Sequence, residues 1–355
     1  MSRIVTLGEI MGRLAAPGFR RFQQAMPGSL EVTFAGAEAS VAVGIARLGG
    51  EAVFVSALPD HELGDACLAA VRAHGVDVRH VRRAPRGRLG LYFVEAGINQ
   101  RPGQVLYDRE HSAFALTPAD AYDWPSIFAG AEWFLVSGIT PALGATTAEV
   151  ARTAVQEADR HGVKVALDLN FRSKLWQWDP ARAPRDLAAA TLRGLMPWVD
   201  LLIGGPRDAA LLLDPPPPAD ASSPEAAETL TRHLVEAYPR ARRIALTLRA
   251  GQSATSTEFG GLLADFVRGE TRHAPARGRL HAIPHIVDRL GAGDAFTAGL
   301  LFALTTPDLA EPADAIAFAT AAGCLAHSIE GDFNLTTRGE IEAMIREDSA
   351  SRVRR

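Results

Sequence analysis

Short apolar runs alternate with longer stretches of helical period along most of this chain, and that alternation limits the possible folds more than any other feature. It is typical of βαβ units around a parallel sheet. The apolar runs predict strands at Arg3–Leu7, Ala52–Ala57, Trp133–Ser137, Val163–Asp168, Leu201–Gly204, Arg243–Leu248 and Leu262–Val267. The periodic stretches predict helices at Gly36–Leu48, Gly64–His74, Ala145–His161, Glu225–Tyr238, Ala292–Leu304 and Ala313–Ile329. We therefore expect an α/β fold with a central, mostly parallel sheet flanked by helices.

Two segments, at about residues 12–34 and 88–115, interrupt this rhythm with glycines, aromatic residues and strand-like pieces. Neither contains an obvious helix. Strand pairs inserted in this way form a small sheet across the mouth of an α/β domain, where they act as a lid. The alternative is a pair of surface hairpins without function. We favour the lid because both segments carry unusual polar and aromatic residues.

The overall composition excludes several classes of protein. The chain has 355 residues and a formal net charge of −4, with 37 Lys and Arg against 41 Asp and Glu, so it lacks the basic excess of nucleic-acid-binding proteins. No apolar run reaches the roughly 18 residues of a membrane span. Cys67 and Cys324 lie far apart, which fits a reducing compartment better than a disulfide framework. We expect a cytoplasmic enzyme with no membrane or nucleic-acid partner.

Local signals indicate loops and ends. The four prolines Pro215–Pro218 predict a stiff, extended surface loop. Ser223 is expected to cap the following helix, with Pro224 at its first position. Residues 346–355 are expected to form a frayed tail, because they include the charged end Arg352-Val353-Arg354-Arg355.

The segment most informative about chemistry is Gly291-Ala292-Gly293-Asp294, which immediately precedes an amphipathic stretch. Backbone amides at a helix start point outward, and the helix dipole adds roughly half a positive charge there. Glycine has no Cβ, so a phosphoryl oxygen can approach closely. An acid inside such a turn is well placed to accept a proton from an attacking hydroxyl. The alternative is an ordinary N-cap aspartate behind a flexible turn.

Several other nucleotide and metal motifs are missing from the sequence. It has no Gly-x4-Gly-Lys-Ser/Thr motif, which excludes a P-loop enzyme, and no Gly-x-Gly-x-x-Gly after the first strand, which weakens a dinucleotide-dependent dehydrogenase. The ten histidines show no metal-ligand spacing, and two separate cysteines cannot build a structural zinc site. No Gly-x-Ser-x-Gly elbow is found.

Two segments resemble the signature motifs of ribokinase-like (PfkB) sugar kinases. Gly291-Ala292-Gly293-Asp294 resembles the second signature, and Phe34-Ala35-Gly36-Ala37-Glu38-Ala39-Ser40-Val41-Ala42, followed by Ala46-Arg47-Leu48-Gly49, is similar to the first. The resemblance covers nearly the whole chain, with the lid segments where the family keeps a sugar-covering sheet. It implies a ribokinase-like domain over residues 1–345: a central, mostly parallel sheet flanked by helices, with a small β-sheet lid.

Within the family, the strongest likeness is to kinases of 2-keto-3-deoxygluconate. It rests on Gly90-Leu91-Tyr92-Phe93, Tyr107-Asp108-Arg109, Asp168-Leu169-Asn170-Phe171-Arg172-Ser173-Lys174-Leu175-Trp176 and Gly331-Asp332-Phe333-Asn334-Leu335. It implies transfer of a phosphoryl group from ATP, with Mg²⁺, to the C6 hydroxyl of that sugar acid. Two alternatives stay open. One is another PfkB sugar kinase, fructokinase-like or acting on the galactonate epimer; the other is a sugar-acid-binding protein that has lost catalysis.

The resemblance also implies roles for particular residues. Asp294 would act as the base, and the turn of Gly291, Ala292 and Gly293 would bind the transferring phosphoryl group. The substrate would contact Gly36, Ser40, Tyr92, Tyr107, Arg109, Arg172 and Asp294. The two arginines would hold the sugar-acid carboxylate, since Arg binds carboxylates with two parallel hydrogen bonds. The nucleotide would contact Thr247, Arg249, Ser328 and the same Gly291–Gly293 turn.

The metal ligands are where this chain departs from the family pattern. An Asn-x-x-Glu motif that organises Mg²⁺ appears here as Gly205-Pro206-Arg207-Asp208, which leaves Asp208 as the candidate ligand and Arg207 as a phosphate contact. Asp288 is the candidate ligand for a monovalent cation, and Glu38 is expected to face the lid or solvent. We expect a homo-oligomer formed through the lid strands, because an exposed edge strand readily adds a partner.

Overall fold

Residues 2–215, 223–251 and 253–346 are described by the structure, which is a computed structural model. The strands in these ranges are β1 (Arg3–Leu7), β2 (Met11–Ala15), β3 (Glu31–Ala35), β4 (Glu51–Pro59), β5 (Val81–Ala84), β6 (Gly90–Glu95), β7 (Gln104–Asp108), β8 (Ala131–Ser137), β9 (Lys164–Asp168), β10 (Val199–Gly204), β11 (Arg243–Gly251), β12 (Thr257–Asp265), β13 (Glu270–Ala274) and β14 (His281–Ile283).

The α-helices in the same ranges are α1 (Phe22–Ala25), α2 (Ala37–Arg47), α3 (Glu62–Arg72), α4 (Ala113–Leu116), α5 (Trp124–Phe128), α6 (Ile139–Ala142), α7 (Ala145–Arg160), α8 (Pro184–Arg193), α9 (Pro206–Ala209), α10 (Pro224–Ala237), α11 (Ala292–Leu304), α12 (Pro312–Ala326) and α13 (Arg338–Ile345). None of the helices in the described ranges combines the length and the apolar character that crossing a bilayer requires.

The central sheet confirms the predicted α/β fold. Its strands lie in the order β13-β12-β11-β10-β9-β8-β1-β4-β5, and β14 also pairs with β12. The seven strands from β11 to β5 are parallel, while β12 to β14 pair antiparallel. Helices cover both faces, which explains why central strands such as β1 read as continuous apolar runs.

Two apolar cores lie on the two faces of this sheet. One contains side chains of α2, α11 and α12, with Phe296, Phe302 and Phe318 among them. The other contains side chains of α7, α8 and α10, together with the buried Trp176. These packed layers hold the carboxyl ends of the parallel strands at one edge, where binding sites of open α/β sheets form.

The predicted lid is a separate four-stranded sheet in the order β3-β2-β6-β7. Strands β2 and β6 pair in parallel, and the outer strands pair antiparallel with them. The expectation that these segments hold no helix is wrong, because α1 and α4 form single turns there. The Ser112 hydroxyl caps α4 by accepting from the Ala115 amide at 3.1 Å, a local signal for one of them.

Other boundaries differ in ways that have physical reasons. Strand β12 begins at Thr257, not at Leu262, because it pairs along the whole of the extended β11. Helix α12 ends at Ala326, three residues before the predicted end. Ser223 caps α10 as predicted, accepting from the Ala226 amide at 3.2 Å, with Pro224 at the first position. The predictions for Pro216–Pro218 and for residues 347–355 fall outside the described residues.

Candidate active site

Two adjoining cavities lie at the carboxyl ends of the parallel strands. The large cavity, of about 820 Å³, is formed by the segments that follow β9 and β10, by the carboxyl half of β11 and by the start of α11. The lid cavity, of about 370 Å³, lies between the lid strands β2, β6 and β7 and the same helix start. Both cavities are lined by Asn170, Phe171, Arg172, Leu290, Gly291 and Asp294.

Asp294 lies in the wall common to the two cavities, as the third residue of α11. Burial raises the pKa of its carboxyl well above the ordinary value of 3.8, and the nearby Asp168 and Asp332 carboxylates raise it further, while Arg172 opposes them. A carboxyl with a raised pKa is a stronger base once ionised. Asp294 is therefore placed to take a proton from a group in the lid cavity.

The first turn of α11 leaves three backbone amides without helical acceptors. Gly291 caps α11 in the left-handed region, with φ of 81°, and the first intrahelical bond runs from the Ala295 amide to the Gly291 carbonyl at 2.8 Å. The amides of Ala292, Gly293 and Asp294 consequently have no intrahelical acceptor. They suit a bound anion, because their donors and the helix dipole both favour negative charge, and we call residues 291–294 the anion-binding turn.

Two further carboxyl groups line the large cavity. Asp168, at the end of β9, accepts from the Thr297 hydroxyl at 2.9 Å, and burial raises its pKa to about 7, with Asp208 and Glu38 contributing. Asp208, in α9, accepts from the Phe171 amide at 3.4 Å, and burial raises its pKa as well. No role was predicted from the sequence for Asp168, although an acid at the end of a buried parallel strand indicates a binding site.

Two arginines that lack a carboxylate partner among the described residues also line the large cavity. Within the described ranges, neither Arg172 nor Arg249 forms an ion pair or a side-chain hydrogen bond. The Arg249 guanidinium lies 5.1 Å from the centre of the Phe259 ring, next to Gly293. Burial and the neighbouring Arg172 lower the pKa of Arg249. Thr247 and Arg207 line the same cavity, so the expected nucleotide contacts come together here, except for Ser328 and the fully buried Ala292.

The residues of the large cavity fit a nucleoside triphosphate with a divalent cation. Unpaired guanidinium groups and free helix amides suit phosphate oxygens, while Asp168 and Asp208 offer carboxylate oxygens to Mg²⁺. In the described part of the chain, no group of three or more His, Cys, Asp or Glu is arranged to hold a metal by itself. That agrees with a magnesium ion that takes one or two carboxylates and completes its shell with phosphates and water.

The lid cavity collects most of the predicted substrate residues. Gly36, Tyr92, Tyr107, Arg109 and Arg172 all line it, together with Asp294. Gly36 packs closely against Glu9, which follows β1. A Cβ on Gly36 would lie 2.1 Å from the backbone carbonyl oxygen of Glu9. This explains why the first residue before α2 lacks a side chain.

Arg109 is already paired inside the lid cavity. Its Nε donates to Oε2 of Glu9 at 2.8 Å, its Nη2 donates to the same oxygen, and the pair is buried. The Arg109 guanidinium also lies 5.5 Å from the centre of the Tyr107 ring. The Nη1 amine is left without a protein acceptor among the described residues, whereas the Arg172 side chain is wholly unpaired.

A second buried network connects the lid to the segments around Gly291. Asp332 accepts from the Tyr92 hydroxyl at 2.7 Å and from Nη1 of Arg13 at 2.9 Å. Nη2 of Arg13 donates to Asp288 at 2.5 Å. No role was predicted from the sequence for Arg13, Glu9 or Asp332, although Asp332 lies in one of the quoted motifs. The alternation of β2 places Arg13 on one face of the lid, but alternation alone does not reveal its partners more than 270 residues away.

Three sequence expectations are corrected by these positions. Ser40 lies on the buried side of α2 and lines neither cavity. Ser328 lines neither cavity, because α12 ends before it and its hydroxyl donates to the Leu325 carbonyl at 2.6 Å. Glu38 faces neither lid nor solvent: it is buried beneath the sheet edge and accepts from the Ser137 hydroxyl at 2.7 Å and the Thr140 hydroxyl at 3.0 Å.

Comparison with known proteins decides the family. The family model described as pfkB family carbohydrate kinase matches residues 1–336. The chain belongs to the PfkB family of carbohydrate kinases. Its relatives include a 2-dehydro-3-deoxygalactonokinase of Haloferax volcanii, 34% identical over 97% of each chain. PfkB kinases use ATP.

Solved structures of this PfkB kinase's relatives agree with the fold. A 2-dehydro-3-deoxygluconokinase from Thermotoga maritima has a TM-score of 0.88 at 34% identity, over 98% of this chain and all of that one. A fructokinase from Xylella fastidiosa, solved with bound ATP, has a TM-score of 0.73 at 22% identity, over 98% and 99% of the two chains. The ribokinase-like arrangement that the motifs implied is thereby confirmed.

Proposed function

We propose that this PfkB kinase transfers the γ-phosphoryl group of ATP to the C6 hydroxyl of 2-keto-3-deoxygluconate, giving 2-keto-3-deoxy-6-phosphogluconate. One observation carries the proposal: Asp294 and the anion-binding turn lie in the wall between two cavities, one of nucleotide size and one roofed by the lid. A nucleotide and a sugar acid bound in these cavities would meet at Asp294.

The residues of the shared wall would divide the chemistry between them. Asp294 would accept the proton of the C6 hydroxyl as its oxygen attacks phosphorus, and the amides of Ala292, Gly293 and Asp294 would stabilise charge on the phosphoryl oxygens. When bound, Mg²⁺ would neutralise phosphate charge, held by Asp168 and Asp208. The lid would exclude water, which limits wasteful hydrolysis of ATP.

Recognition of the sugar acid would depend on its carboxylate. Arg172 would supply a full, unpaired guanidinium, and Arg109 would add its free Nη1 while Glu9 holds the rest of the group in place. Tyr107 and Gly36 would complete the lid cavity around the sugar. Neutral ketoses lack the carboxylate and would gain nothing from these cations, so the proposal predicts a preference for acids.

A coupled ADP-release assay tests the substrate proposal. With Mg-ATP, we expect turnover of 2-keto-3-deoxygluconate and little turnover of fructose. Arg172→Ala should raise KM for the sugar acid at least about tenfold, which is roughly 1.4 kcal/mol of binding. The control is Arg152→Ala, which removes an exposed arginine of α7 paired with Glu149. Equal KM values in the two variants would contradict the carboxylate contact.

The mechanism is tested separately at Asp294. Asp294→Asn keeps the size of the side chain but removes the base, so kcat should fall by about 10²–10⁴-fold with little change in sugar affinity. The control is Asp308→Asn, at an exposed aspartate that pairs with Arg338. Robust sugar binding without turnover in the wild-type chain would favour the binding-protein alternative instead.

The galactonate epimer is the second candidate substrate. It is favoured by the Haloferax volcanii relative, which is a 2-dehydro-3-deoxygalactonokinase at 34% identity. Parallel kcat/KM measurements on the two epimers decide between them. A fructokinase-like activity would instead show as faster turnover of fructose than of either acid.

Three further predictions accompany this function. Residues 1–345 form one kinase domain, and the protein acts in the cytoplasm. The lid strands join subunits, because β3 and β7 are the unpaired edges of the small sheet in the described structure. The monovalent cation that the family resemblance implied at Asp288 is not among them, because both oxygens of that carboxylate already accept hydrogen bonds from protein donors.

A further inference from the structure

The side chain of Asp288 is already occupied by protein donors. Its Oδ1 accepts from the Leu290 amide at 3.0 Å, and its Oδ2 accepts from the Gly331 amide at 3.2 Å and from Nη2 of Arg13 at 2.5 Å. Both carboxylate oxygens therefore face hydrogen-bond donors, one of which is cationic. This arrangement does not fit the monovalent cation that the family resemblance implied at Asp288.

Arg13 supplies positive charge at that place. It comes from the lid strand β2, its side chain is only 5% exposed, and it bridges Asp288 and Asp332 through its two terminal amines. A guanidinium matches this task because its planar donors contact two carboxylates at once, which an ammonium group does less well. The Tyr92 hydroxyl donates to the same Asp332 oxygen, which adds a second hydrogen bond between the lid and Asp332.

The two aspartates border the anion-binding turn. Asp288 holds the amide of Leu290, the residue immediately before Gly291. The backbone carbonyl of Asp332 lies so close to Gly291 that a Cβ there would be 2.3 Å from its oxygen. Without a cation between them, two mostly buried carboxylates would repel each other beside this turn. The charge of Arg13 therefore bears on the position of the Gly291 turn.

We propose that Arg13 is a built-in cation: it holds Asp288 and Asp332 around the anion-binding turn, so that phosphoryl transfer by this chain requires no monovalent cation. Arg13 is a positioning residue in this proposal, since it acts through the turn and not on the reacting atoms. The proposal rests on the proposed function for its activity assay. Removal of Arg13 would open the site to a small cation from solution.

The first experiment measures the wild-type chain in chloride salts of potassium, sodium and tetramethylammonium at equal ionic strength. We expect kcat to agree within twofold in the three salts, and the melting temperature to show no potassium-specific rise. A tenfold or larger loss of kcat without potassium overturns the proposal. If no sugar acid is turned over at all, the proposed function fails, and the melting-temperature comparison still decides the question of the cation.

The second experiment uses Arg13→Ala in the same salts. We expect kcat to fall at least tenfold in tetramethylammonium and to recover at least threefold in potassium, together with a potassium-specific rise in melting temperature. Arg88→Ala is the matched control, because it removes a lid-segment arginine whose exposed pair with Asp108 lies away from the turn. The control should respond equally to all three salts.

Arg13→Lys covers the case in which the alanine variant fails to fold. A lysine keeps the charge but not the two-armed geometry, so we expect reduced kcat that is equal in potassium and tetramethylammonium. A potassium response in Arg13→Lys as large as in Arg13→Ala would show that charge at this position is not what matters. Absence of any potassium response in a folded Arg13→Ala chain would also overturn the proposal.

Discussion

Buried carboxyl groups dominate the site at the scale of single residues. Asp168, Asp208, Asp294 and Asp332 all have pKa values raised by burial, and the unpaired Arg172 and the paired Arg13 offset only part of that charge. Such a concentration of perturbed acids is common where cations and phosphates bind. The same acids make the ligand-free protein sensitive to pH.

The sign of that sensitivity follows from Asp168. The folded chain keeps a proton on this carboxyl up to about pH 7, whereas the unfolded chain releases it near the ordinary pKa of 3.8. The free energy of unfolding therefore falls as pH rises between these values, by up to about 1.4 kcal/mol per pH unit for this group. We expect the free energy of unfolding of Asp168→Asn, measured by urea denaturation at pH 5, 6 and 7, to fall clearly less steeply with pH than that of the wild-type chain.

Asp308→Asn is the control for the pH experiment. Its hydrogen bond with Arg338 lowers the pKa of the Asp308 carboxyl, so this group changes the pH dependence of stability only below about pH 4. The slope of this variant between pH 5 and 7 should equal that of the wild-type chain. If Asp168→Asn also keeps the wild-type slope, the proton on Asp168 is not the source of the pH dependence.

At the residue scale, the acid that follows a glycine turn could be predicted from the sequence. The charged side chains that approach the site from distant segments could not. Asp294 carries its signal in its neighbours Gly291 and Gly293. The partners of Arg13 and Arg109 come from segments brought together only by the tertiary fold, so no local pattern points to them. Ser40 was misplaced because a motif gives its position in the helix but not the side that faces the core.

At the scale of elements, long periodic segments were predictable and short or polar ones were not. Strand β1 and helix α11 were predicted with their observed ends, because each is mostly apolar and flanked by clear breaks. Strand β5, Val-Arg-Arg-Ala, shows no alternation and forms only through pairing with β4. Helix α8 has no side-chain cap. Helix α13 carries a Thr337–Glu340 capping box, a signal that the sequence did offer.

The start of α11 supplies the prediction at this scale. Gly291→Ala would place a Cβ 2.3 Å from the Asp332 carbonyl oxygen, on a residue with φ of 81°. The left-handed conformation alone costs a non-glycine residue about 1–2 kcal/mol, and the turn must also move. We expect kcat to fall at least tenfold in the ADP-release assay, with the melting temperature lowered by a few degrees.

Gly144→Ala is the control for that substitution. Gly144 precedes α7, has an extended φ of 169°, and a Cβ there would meet no atom within 4 Å. Its kcat should match the wild-type value. An unchanged kcat in Gly291→Ala would mean that the position of this turn does not limit the reaction.

At the scale of the whole molecule, the lid presents apolar side chains on its outer surface. Val32 of β3 is 64% exposed and Leu106 of β7 is 52% exposed, both on the edge strands of the small sheet. Large exposed apolar groups beside open strand edges favour association with another copy. They give the proposed oligomer a location that can be tested.

Sedimentation velocity tests this location. Val32→Asp places a charge on the lid edge, and we expect it to shift the protein towards the monomer at micromolar concentration. Val267→Asp is the matched control, since Val267 is 53% exposed in the turn after β12, remote from the lid sheet. If Val32→Asp and Val267→Asp sediment alike, subunits do not meet through the lid edge.

The ion pair between Arg13 and Asp332 joins positions 319 residues apart. During synthesis, the amino-terminal strand that carries the arginine leaves the ribosome long before its aspartate partner does. The lid therefore gains this ion pair only when nearly the whole chain has emerged. A nascent or prematurely ended chain would lack the ion pair that holds the lid to Asp332, so the last stretch of translation completes the lid cavity.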